Sequence, residues 1–185
     1  MNDSSLLEQQ LSSREIFNGV LLHVFSDEVL LPNGNHGVRE YIKHLGAACV
    51  VPLTENGEVL MERQFRYPLR RVLWEIPAGK LDSPREDPLN AARRELLEET
   101  GVSAKEMVYL GSFYPTCAYS DEVIHMYLAT GLSFGDTSLD EDEFINVEKV
   151  PLKKLVEEIM AGKIADGKTQ AALLKTYIYL QNNTF

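Results

Sequence analysis

The sequence predicts an α+β fold in which sheets are layered with helices, preceded by a small antiparallel sheet. Three observations carry this reading. Strand-like patterns fill the first half, one clear helix stands among later strands, and helices close the chain. Apolar residues make up 44% and charged residues 25%, which are globular proportions. At 185 residues the chain is long enough to bury a core that needs no staples.

Residues 1–14 are polar and predict a short helix or a frayed arm. Apolar bursts follow at Ile16, Val20–Leu22, Val24–Phe25 and Val29–Leu31, then a turn at Asn33-Gly34-Asn35 and a further strand pattern from Val38 to Ile42. These predict the small antiparallel sheet and a first unit over residues 1–43, with the main unit over 44–185. Leu45–Leu53, the turn Thr54–Gly57 and Val59–Gln64 predict a hairpin. A helix is expected from Pro88 to Thr100, with Asp87 as its N-cap, Pro88 at its first position and Gly101 ending it. Strand patterns return at Met107–Tyr114, Val123–Thr130 and Phe144–Val150. A second helix starts at Pro151 and stops before Gly162, and a third is capped by Asp166 and runs to about Leu180.

Composition excludes several function classes. The formal charge of −10 argues against a broad nucleic-acid or anionic-membrane surface. Cys49, in an apolar run, reads as a buried thiol and Cys117 as a loop residue, so no disulfide framework is expected. No basic-then-apolar leader opens the chain, and its longest apolar run is about half of the ~18–20 residues of a membrane span. A soluble, cytoplasmic protein is expected.

The helix at 88–100 carries the chemistry. Leu89, Ala92 and Leu96 fall on one stripe, and Glu95, Glu98 and Glu99 lie beside it at i, i+3, i+4 spacing. Three like charges near a helix C-terminus repel one another and oppose the dipole. A bound cation would offset that cost, and hard carboxylate oxygens suit Mg²⁺ or Mn²⁺. Alone, such a cluster reads more readily as a solvated face screened by Arg93 and Arg94.

The surrounding residues decide between these. Gly79 and Glu86 are followed after seven residues by Arg94-Glu95-Leu96-Leu97-Glu98-Glu99-Thr100-Gly101-Val102. This resembles the Nudix box, with all nine positions of its second half in place. Six residues rather than five separate Gly79 from Glu86, which predicts a longer loop before an intact helix. The resemblance extends to the ADP-ribose pyrophosphatase-like subfamily through Trp74–Gly79, Gln64–Tyr67, Ser120–Ala129 and Ile164–Thr169. Cys117-Ala118 stands where that subfamily has Pro-Gly.

The resemblance implies a Nudix α/β/α sandwich with a mixed central sheet that hydrolyses ADP-ribose to AMP and ribose 5-phosphate with Mg²⁺. It implies metal ligands at Glu95 and Glu99, with Glu98 shared and the Ala78 carbonyl contributing, and Arg94 orienting a box glutamate. It also implies an acidic loop at Asp140–Glu143, with Glu141 as base and Glu143 as ligand; Glu98 is the rival base. Substrate contacts are expected from Arg66 and Arg39, from Glu75 facing the nucleoside, and from Glu122. Trp74 is equally a core residue, and Glu122 equally an ordinary loop residue. His125 is expected to be packed in a strand, and Arg70 and Arg71 to form surface salt bridges. The N-terminal strands imply a homodimer with a swapped sheet. The rivals are a hydrolase of another nucleoside diphosphate sugar, such as a GDP-hexose, and a non-catalytic ligand-sensing Nudix domain. The intact glutamates, and the lack of residues for a DNA-binding module after Leu180, argue against the latter.

The acidic excess is local. Residues 82–102 hold six acids and three Arg, and residues 136–148 hold six acids and no base, so the two segments carry −9 of the −10.

Overall fold

The computed structural model describes residues 3–137 and 144–182. A 3₁₀ turn at Asp3–Leu6 precedes a three-stranded antiparallel sheet of β1 (Gln9–Asn18), β2 (His23–Leu30) and β3 (His36–Lys43), in that order. The polar start of the chain, expected as a helix or an arm, is therefore divided between this turn and the first half of β1. It pairs with β2 from Gln9↔Leu30 to Asn18↔His23. Every β1 residue is exposed, which is why its composition carries no apolar period. The β2–β3 turn forms as expected, with Asn33 Oδ1 accepting from the Asn35 amide at 3.0 Å.

The main body holds two sheets. One is mixed, in the order β7 (Ala78–Lys80), β4 (Ala47–Pro52), β9 (Ile124–Phe134), β8 (Val102–Phe113), with β4 and β9 parallel. The other is antiparallel, in the order β10 (Ile145–Pro151), β5 (Glu58–Arg66), β6 (Arg71–Glu75). The expected hairpin of β4 with β5 is not what forms. Its turn is present, with the Gly57 amide donating to the Thr54 carbonyl at 3.0 Å. A single bridge, Leu53↔Val59, then joins the two strands before they part into different sheets. All six residues of β4 are buried, and both its edges are taken by β7 and β9. A strand buried on both faces reads as a continuous apolar run and does not reveal its partners.

Helices cover both faces of β4, and its residues alternate between them. Ala48 and Val50 pack with Ala91, Ala92 and Leu96 of α1 (Pro88–Thr100). Cys49 and Val51 pack with Leu155 and Ile159 of α2 (Leu152–Met160) and Ala172 and Leu173 of α3 (Gly167–Asn182). The result is the expected α/β/α sandwich. Burial pushes the Cys49 thiol up to about 12, so it is inert. Trp74 packs against the α2–α3 core, the second of its two expected roles. No helix among the described residues is long and apolar enough to cross a membrane.

Helix α1 has the predicted ends. Asp87 Oδ1 accepts from the Leu89 amide at 2.8 Å, and the Gly101 amide closes on the Leu97 carbonyl at 2.8 Å. Gly101 has φ 68°, and a Cβ there would lie 2.7 Å from the Gly135 carbonyl oxygen. A Cβ on Gly79 would instead lie 2.1 Å from Glu95 Oε1, the movable end of a side chain.

These two glycines predict different outcomes in thermal denaturation. Gly101→Ala meets fixed backbone at a left-handed position and should cost about 2–3 kcal/mol, lowering Tm by roughly 5–10 °C. Gly79→Ala displaces only a carboxylate and should cost less than about 1 kcal/mol. Equal Tm losses for the two would contradict this division.

Candidate active site

A cleft of about 910 Å³ opens along α1, β6, β7 and the start of α3. Its box wall contains Ala78, Gly79, Arg94, Glu95 and Glu98. Arg94 gathers the acids. Its Nη1 donates to Glu95 at 2.7 Å and to Glu98 at 3.1 Å, its Nε to Glu86 at 3.3 Å, and its Nη2 to the Lys80 carbonyl at 3.1 Å. Burial opposes the charge on Arg94, but Glu95, Glu86 and Glu98 outweigh it and raise the guanidinium pKa. Glu95 and Glu99 are both buried, and Glu99 accepts from the Ala78 amide at 2.9 Å.

The extra loop residue is absorbed before the helix. The Glu86 amide closes a turn on the Ser83 carbonyl at 3.1 Å, and the Glu86 carboxylate accepts from the Asp82 amide at 2.5 Å. That backbone bond, aided by Arg94 and opposed by burial, lowers its pKa. Glu86 therefore ties its loop to Arg94 and does not line the cleft. Among the described residues no three His, Cys, Asp or Glu side chains already converge on one metal position. Glu141 and Glu143 lie outside the described residues.

A second part of the wall is a buried charge cluster. Glu75 accepts from Arg66 Nε at 2.7 Å and from Arg66 Nη2 at 2.8 Å, and it also accepts from Lys168 Nζ. Lys168 in turn donates to Asp166 at 3.0 Å. Burial pushes the Glu75 carboxyl up, but Arg66 and Lys168 outweigh it and leave the pKa lowered. Burial likewise works against the Lys168 ammonium, yet Asp166 and Glu75 raise it. Glu75, Arg66 and Lys168 therefore stay ionised at neutral pH. Glu75, expected to face the nucleoside, lines the cleft with both its oxygens bonded to cations. Lys168 was missed by sequence reasoning. The signal was its place two residues after the α3 cap Asp166, in a segment quoted for resemblance and given no role.

The remaining candidates separate. Glu122 lines the cleft with its carboxylate 4.0 Å from His44 Nδ1. His44, also missed, is held by Asp121 on its amide at 2.7 Å and by the Gly46 amide on Nδ1 at 3.0 Å. Arg39 sits on β3, pairs with Glu8 and does not line the cleft. Arg70 does not form the expected surface salt bridge among the described residues. It turns to φ 54° and lies 3.6 Å over the Tyr67 ring, where stacking suits a guanidinium. His125 sits in β9, 3.5 Å from the Tyr109 hydroxyl, and does not line the cleft.

Comparison with known proteins fits this geometry. The family model described as the NUDIX domain matches residues 43–172, and the one described as the nucleoside diphosphate sugar hydrolase N-terminal domain matches residues 8–42. The chain is 40% identical to an ADP-ribose pyrophosphatase of Bacillus subtilis, over 91% of this chain and 92% of the relative. It is 39% identical to a methanol dehydrogenase activator of Bacillus methanolicus, over 94% of each. The crystal structure of an ADP compounds hydrolase shares the fold with a TM-score of 0.85 at 20% identity, over 97% of each chain. With the box helix, the glycine beneath Glu95 and the mixed sheet that presents them, this chain belongs to the Nudix family of hydrolases.

Proposed function

We propose that the chain hydrolyses the diphosphate bond of ADP-ribose, with Mg²⁺, to AMP and ribose 5-phosphate. One observation carries this reading: the box glutamates Glu95 and Glu98, which suit a hard cation, share a cleft with Arg66 and Lys168, which suit phosphate. The relatives' names supply the nucleotide. Glu95, Glu99 and Glu98, with the Ala78 carbonyl, would hold the Mg²⁺ or Mn²⁺. A cation held there supplies a Lewis acid for the diphosphate oxygens. Arg94 keeps the box carboxylates together, and the unused N–H groups of Arg66 and Lys168 orient phosphate oxygens. Glu122 faces a sugar hydroxyl. Glu141 accepts the proton of the attacking water and Glu143 adds a ligand; Glu98 is the rival base.

The second reading is another nucleoside diphosphate sugar, such as a GDP-hexose, supported by 31% identity to a GDP-mannose pyrophosphatase of Yersinia enterocolitica over 88% of this chain. We also assign residues 1–43 to a homodimer contact and 44–185 to the hydrolase unit. Support comes from Phe17, Val20 and Leu21, which are 55%, 107% and 55% exposed around the β1–β2 turn. Arg39, outside its own cleft, then serves the cleft of a second copy.

Three outcomes follow. In a panel of nucleoside diphosphate sugars with Mg²⁺, ADP-ribose should show the highest kcat/KM, with AMP and ribose 5-phosphate identified by mass and all turnover lost in EDTA. A different leading substrate would overturn the assignment. Glu141→Gln should lower kcat by about 10²–10⁴-fold at neutral pH; a near-normal rate would pass the role to Glu98. Light scattering should give a dimer mass, and a monomer mass at every concentration tested would refute the homodimer.

A further inference from the structure

We infer that Glu75 is a positioning residue, fixing the Arg66 guanidinium and the Lys168 ammonium so that their unused N–H groups face one anionic group of the substrate. This role rests on the diphosphate reading above. Glu75 itself cannot be the contact. It is 3% exposed, and its two oxygens carry three charge-assisted hydrogen bonds.

The two cations come from distant parts of the chain, Arg66 from the end of β5 and Lys168 from the first turn of α3. Without an anion between them they repel, and a long Arg side chain that is 40% exposed has many rotamers to visit. Glu75 removes both problems. It grips Arg66 through Nε and Nη2, which leaves Nη1 free at the cleft. Lys168 has three protons, of which Glu75 and Asp166 take two. Asp166 cannot replace Glu75, because the same Oδ2 also holds the Thr169 amide at 3.0 Å. Thr169 Oγ1 accepts from the Ile76 amide at 3.1 Å, so α3 is pinned beside Glu75.

Charge alone and positioning predict opposite signs. Arg66, Lys168, Glu75 and Asp166 together are neutral. Glu75→Gln makes the set +1, which by charge alone should strengthen anion binding and lower KM. Loss of position should instead weaken it.

The test is steady-state kinetics on ADP-ribose, with circular dichroism and Tm confirming the fold. Wild-type activity is read first: its absence would overturn the proposed activity and this role with it. Glu75→Gln should raise KM at least about tenfold while kcat changes less than about threefold, the pattern of lost ground-state binding. In an Arg66→Ala background the same substitution should cost much less, because its effect passes through that side chain. A folded Glu75→Gln enzyme with KM unchanged or lowered overturns only the role, as does a fully multiplicative double variant. If Glu75→Gln does not fold, Glu75→Asp keeps the charge and shortens the reach; a raised KM supports the role and a wild-type KM overturns it.

Discussion

The site depends on one ion-pair cluster, the grip of Arg94 on the box carboxylates. Glu95, Glu98 and Glu99 stand on one face of the last turns of α1, where the helix dipole already disfavours anions. Arg94 meets two of them directly and adds Glu86 and the Lys80 carbonyl. The guanidinium fork holds several acceptors at fixed angles, which a point charge cannot do. It thereby joins α1 to the loop before it and to the end of β7, and sets the carboxylates against the backbone at Ala78 and Gly79. The third acid, Glu99, is steadied by the Ala78 amide.

The same helix shows that two glycines of one motif answer to different constraints. Gly101 is demanded by backbone: a left-handed cap against the Gly135 carbonyl leaves no room for a Cβ. Gly79 is demanded by a side chain, since the Glu95 carboxylate occupies the place where its Cβ would be. One serves the fold and the other the position of a proposed ligand, so their equal standing in the motif hides unequal energetics.

Local signals were legible and pairing was not. Helix α1 matched its expected ends because Asp87, Pro88 and Gly101 act through neighbours in sequence. The acidic stripe was legible because helical period is a local property. The split of β4 from β5 was hidden because a turn specifies a reversal and not which edges the strands then choose. The first half of strand β1, from Gln9 to Arg14, was hidden by its exposure on both faces. The Glu75 cluster was illegible for another reason: Lys168 lies 93 residues from Glu75, and only the folded sheet and α3 bring them together. Arg39 showed the converse limit, since a resemblance can assign a role to a side chain that its own chain keeps away from the cleft.

The charge of the cleft explains why it needs two kinds of wall. Its lining holds four bases, Arg66, Lys80, Arg94 and Lys168, against six acids: three on the box side, Asp82, Glu95 and Glu98, and three beyond it, Glu75, Glu122 and Asp166. The formal sum is −2, and Glu99 adds to it from behind β7. A diphosphate is itself anionic, and like charges about 4 Å apart repel by roughly 4 kcal/mol at an effective dielectric near 20. The bare box wall therefore has the wrong sign for the proposed substrate. A divalent cation there would cancel that charge, which ties substrate affinity to cation binding in the proposed reaction. The Arg66–Lys168 patch is different, because Glu75 and Asp166 neutralise it while leaving N–H donors at its surface. It can accept phosphate oxygens without a cation and without the cost of an isolated buried charge. In the proposed reaction the acidity concentrated in the box would be the cation-dependent half of the cleft, and the neutral cluster the half that the protein completes by itself.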